Sequence, residues 1–127
     1  MSVSYYLNKP VKLGDVKKIG LTVIDNRKEH PEYCPFGITN EIGDGVGVIE
    51  IDINDNVCED DWKISELEGR CSVGGASILL EICDKLDRKF ITDEDFQIIG
   101  NEGKEITEET FTERTNAFRK MLNGESE

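Results

Sequence analysis

Val46 to Ile53 restricts the fold more than any other segment, because it alternates along its whole length. Val46, Val48, Glu50 and Asp52 fall on one side, and Gly47, Ile49, Ile51 and Ile53 on the other. A period of two defines a strand. The second side carries nothing polar, whereas the first passes from apolar to acidic. The pattern therefore predicts that the isoleucine side enters a core and that the acidic end of the other side meets solvent or a partner. Asn54-Asp55-Asn56 ends the strand. Such a strand needs neighbours in a sheet and a layer to cover it.

The remaining segments supply both. Ser4-Tyr5-Tyr6-Leu7 predicts a short strand broken by Asn8-Lys9-Pro10, and Leu13 to Ile19 a short helix ended by Gly20. Leu21 to Ile24 and Phe36 to Thr39 are rich in strand-forming residues, with a polar loop over 25–35 and a turn over 41–45. Val57 to Arg70 fits neither period, with Trp62, Ile64 and Leu67 as its anchors. Ile78, Leu79, Ile82, Cys83 and Leu86 form one stripe of a helix. Phe90-Ile91 and Phe96 to Ile99 read as strands, joined through Thr92 to Asp95, and Gly100 to Gly103 as a turn. Thr107 caps a last helix whose buried stripe is Phe111, Phe118, Met121 and Leu122. Strands and helices in mixed order predict an α+β fold. Residues 1–122 form a single compact domain, a mostly antiparallel sheet packed by two to three helices, and 123–127 a frayed tail.

The charge is lopsided. There are 27 acidic and 15 basic residues, a net charge of −12. Residues 1–30 carry six basic and three acidic groups, so the acidity belongs to the rest of the chain. Such a field repels nucleic acid and attracts basic partners. No apolar run reaches the roughly 18 residues of a membrane span, and Met1 to Leu7 lacks the pattern of a secretory signal, so a cytoplasmic location is expected. Cys34, Cys58, Cys71 and Cys83 include no C-x-x-C pair and are expected to be free thiols.

Motifs for chemistry fail at specific positions. Asp52 to Asn56 begins like a calcium loop, but the sixth and twelfth positions hold Val57 and Lys63 in place of Gly and Glu. Gly43, Gly45 and Gly47 precede a strand, not the helix that a dinucleotide site needs. Arg70-Cys71-Ser72-Val73-Gly74-Gly75 offers a thiol and backbone donors at a helix start, but no basic residue follows to complete a phosphate loop. His30 is the only histidine. His30 and Cys34 have helical spacing, yet Pro31 and Pro35 oppose a helix and no second pair completes a zinc site. No metal, cofactor or catalytic residue is assigned. An enzyme reading would use Cys71 as nucleophile with His30 as base.

The acidic segment around Trp62 is the remaining candidate. Glu50, Asp52, Glu59, Asp60, Asp61, Trp62, Glu66 and Glu68 form the expected partner-binding set: carboxylates that steer a basic protein, around an aromatic anchor. The alternative for Trp62, Ile64 and Leu67 is that they face the core while the acids are merely solvated.

Ser4-Tyr5-Tyr6-Leu7-Asn8-Lys9-Pro10-Val11-Lys12-Leu13, Tyr33-Cys34-Pro35-Phe36-Gly37-Ile38, and Ala76-Ser77-Ile78-Leu79-Leu80-Glu81 leading to Arg88-Lys89-Phe90-Ile91 resemble parts of bacterial immunity proteins. These proteins neutralise polymorphic or contact-dependent toxins. The resemblance implies a small cytosolic protein that binds one toxin domain, often a basic nuclease, and blocks its active site or a neighbouring surface. No position-specific motif carries over a residue role. The expectation is a non-enzymatic acidic binding protein. The alternatives are a nucleic-acid-mimicking phage inhibitor and a small thiol enzyme using Cys71.

Overall fold

The structure, a computed structural model, describes residues 2–29, 34–70 and 73–124. Among these residues six strands form one antiparallel sheet: β1 (Ser2–Lys12), β2 (Thr22–Asp25), β3 (Phe36–Thr39), β4 (Gly45–Asp52), β5 (Lys63–Arg70) and β6 (Phe90–Thr92), in the order β2-β3-β4-β5-β1-β6. Among the described residues the helices are α1 (Leu13–Lys18), α2 (Val73–Leu86), α3 (Asp93–Asn101) and α4 (Glu108–Leu122), with a 3-10 turn at Glu59–Asp61. The expected class, a single α+β domain, is the one observed.

One face of the sheet makes the core. Phe36, Val48, Leu67 and Tyr5 are aligned across β3, β4, β5 and β1, and all four are buried. Onto them pack Ile78, Leu79, Ile82 and Cys83, the stripe expected for α2. α4 adds Phe118 and Leu122, but Met121 is 59% exposed and does not share the stripe. Thr115 takes the buried position instead. Its hydroxyl accepts from the Phe90 N–H and donates to the Phe90 carbonyl, which ties α4 to edge strand β6. Gly75 lets α2 approach the sheet closely: a β-carbon there would fall 3.1 Å from the Tyr5 hydroxyl oxygen.

Three expectations are corrected. Pro10 does not end β1. Leu7 to Pro10 bulge opposite the single residue Ser65, after which pairing resumes at Val11 and Ile64. The bulge spares Pro10 a ladder donor, and its carbonyl accepts from the Arg88 guanidinium. Phe96 to Ile99 is helix, not strand. Thr92 caps α3, accepting from the Asp95 N–H, while the Asp95 carboxylate accepts from the Thr92 N–H. The third correction concerns the alternating strand. Val46 and Val48 are buried, whereas Ile49 is 37% and Ile53 47% exposed. Ile49 is an extra residue between the pairs Val48–Leu67 and Glu50–Glu66, and Ser65 is an extra residue before Ile51–Ile64. Each insertion reverses the inward–outward alternation. Val46 and Val48 therefore face inward before the irregularity, and Ile51 and Ile64 after it.

Candidate functional site

The opposite, outer face holds the carboxylates. Glu50 of β4 lies directly across from Glu66 of β5, and Glu66 directly across from Tyr6 of β1. One row further, Gly47, Glu68 and Ser4 are aligned. The Ser65 irregularity permits this, because it keeps Glu66 outward while turning Ile64 into the core. Among the described residues Glu50, Glu66 and Glu68 make no ion pair. Like charges directly opposite on antiparallel strands are destabilising.

Aromatic and apolar groups border these acids. The Tyr6 ring lies 5.8 Å from that of Phe96 on α3, and Phe96 is 51% exposed. Burial first, and then the neighbouring charges of Glu66 and Asp93, raise the Tyr6 phenol. Cys34 covers Gly47 so closely that a β-carbon there would fall 2.5 Å from its sulfur. Burial, then the neighbouring Glu68 charge, raises the Cys34 thiol.

The other members of the expected set lie elsewhere. Asp52 sits directly across from Lys63. Asp60 pairs with Lys17 at 3.0 Å, and Asp61 with Lys12 at 3.7 Å while accepting from the Cys58 thiol. These two acids tie the 3-10 turn to α1 and to the end of β1. Glu59 is exposed beside Arg27, whose guanidinium its charge favours. Trp62 packs against the core, 6.1 Å from Phe36 between ring centroids, and both rings lie beneath Arg27. It is an internal anchor for β5. Tyr6 and Phe96 escaped the sequence reading. Tyr6 occupies the outward position of a period-two strand, but Phe96 emerges beside it only because 93–101 is helical.

Arg27 is itself held by a pair of rings and a carboxylate. Its Nη2 donates to Asp25 Oδ2 at 2.7 Å and its Nε to Oδ1 at 3.0 Å. The Arg27 side-chain hydrogen bonds, then its backbone N–H, bring the Asp25 carboxyl down from 3.8 to about 2. A depressed folded-state pKa stabilises above the ordinary carboxyl range, and that contribution is lost as pH falls through about 2. Carbonyl-detected NMR titration is expected to show Asp25 with a midpoint near 2, and Arg27→Met to return it towards 3.8.

Cys71 and His30 lie outside the described residues. A cavity of about 240 Å³ between α2 and α4 is lined by Cys83, Arg88, Lys89, Thr115 and Arg119. Its cations are already engaged: Arg119 by Asp84, Lys89 by Glu108, and Arg88 by main-chain carbonyls. Burial, and then Asp84, push the Cys83 thiol up to about 12. Among the described residues no cluster of three His, Cys, Asp or Glu is placed to hold a metal, and no helix is long and apolar enough to cross a membrane. Comparison with known proteins adds no assignment: no family model, curated protein or solved structure matches the chain.

Proposed function

We propose that this chain is a non-enzymatic, cytoplasmic binding protein of the bacterial immunity type, which captures a basic toxin domain such as a nuclease on the outer face of its sheet. The observation that carries this reading is the set of Glu50, Glu66 and Glu68, aligned on one sheet face and without an ion pair among the described residues. Asp60 and Asp61, by contrast, already neutralise Lys17 and Lys12. A basic partner would relieve the Glu50–Glu66 repulsion on binding, and the net charge of −12 would speed encounter.

A protein partner suits this face better than mimicry of nucleic acid does. Exposed apolar groups, Phe96 and Ile49, stand beside the carboxylates. Aromatic and apolar contacts of this kind are the energetic centre of protein interfaces.

The test is co-purification of the tagged protein with the product of the adjacent gene, repeated from low to high salt. A complex whose affinity falls steeply with salt is expected. A complex indifferent to salt, or none with any basic protein of the source cell, contradicts the reading.

A further inference from the structure

Among the described residues, one pair of aromatic rings with a carboxylate holds an arginine, and a second ring pair stands beside carboxylates. In the first, the Phe36 and Trp62 rings lie 6.1 Å apart, the Arg27 guanidinium carbon is 5.0 and 5.6 Å from their centroids, and Asp25 accepts two of its hydrogen bonds. In the second, the Tyr6 and Phe96 rings lie 5.8 Å apart, Glu66 lies directly across from Tyr6, and Glu50 directly across from Glu66. Among the described residues no cation lies over this ring pair.

We infer that the corner formed by Tyr6, Phe96, Glu66 and Glu50 binds an arginine side chain of the protein partner. The inference rests on the outer face being the binding surface. Arginine fits better than lysine for two reasons. Its planar guanidinium stacks on aromatic faces, and its fork of donors matches a carboxylate bidentately. Lysine supplies the same charge without either match.

The test titrates two decapeptides, (Arg-Gly)5 and (Lys-Gly)5, into the full chain by calorimetry. The arginine peptide is expected to bind about two- to fivefold tighter. Phe96→Ala should erase this preference, costing the arginine peptide more affinity than the lysine peptide. Phe96→Leu, which keeps apolar bulk on α3 without a ring, should do the same and serves if the alanine variant misfolds. Equal affinities in the wild type, or a preference that survives loss of the ring, overturn the arginine site while leaving the acidic face standing. Failure of both peptides to bind overturns the acidic face itself, and the arginine site with it.

Discussion

Replacing Glu50, Glu66 and Glu68 together by lysine is expected to weaken capture of the basic partner on the order of 100-fold and to leave the fold intact. The three side chains lie on the outer face, Glu50 exposed and Glu66 and Glu68 half-buried, so no contact of the hydrophobic core is lost. Each reversal turns an attraction into a repulsion at the contact itself. The matched control reverses Glu41, Glu105 and Glu113, which are exposed and lie off the strands that carry the site. It changes the net charge equally and should lower affinity only a few-fold, through slower encounter. Biolayer interferometry separates the two effects: loss of steering lowers the association rate, whereas loss of contacts raises the dissociation rate. If both triples weaken binding alike, total charge governs the interaction and the outer face has no special role.

Phe90→Ala is expected to destabilise the fold by about 3–5 kcal/mol. Phe90 is fully buried, meets Tyr5 edge-on at 5.7 Å and lies 5.2 Å from Phe118 on α4. It joins β6, β1 and α4 at the point where Thr115 also bonds to its backbone. Domains of this size hold about 5–15 kcal/mol in total, so the variant sits near the edge of unfolding. Urea denaturation followed by circular dichroism measures the loss. A shift below 1 kcal/mol would mean that α4 and β6 are not part of the cooperative core.

The elements that the sequence revealed are those whose signals are local. Thr107 caps α4, and Glu108 and Glu109 occupy its first turn, as their types imply. The α2 stripe is a plain helical period of apolar residues. Phe96 to Ile99 misled because a short apolar run suits strand and helix equally. The deciding signal is the Thr92–Asp95 capping box, with Asp at a position where Glu or Gln is the usual mark.

Long-range effects were hidden for a different reason. Glu108 accepts from Asn8 and pairs with Lys89, contacts that lower its pKa and cannot be foreseen from neighbours in the chain. The bulges at Ile49 and Ser65 exist only in the pairing of two strands, so no single-strand pattern discloses them. They reversed the faces expected for the first half of β4, left Glu50, Ile51 and Asp52 on their expected sides, and placed Glu66 beside Glu50. The sequence identified the right kind of residue for the site and only part of the right set. Asp60 and Asp61 meet cations more than 40 positions away. What separates them from Glu50, Glu66 and Glu68 is tertiary pairing, not residue type.

The central claim is that the outer face, and not the 3-10 turn, receives the basic partner. Amide chemical-shift mapping of the isotope-labelled chain, titrated with that partner, tests this directly. The account predicts shifts concentrated at residues 4–6, 47–50, 66–68 and 96. Shifts centred on 59–62, or spread evenly over the acidic surface, would contradict it.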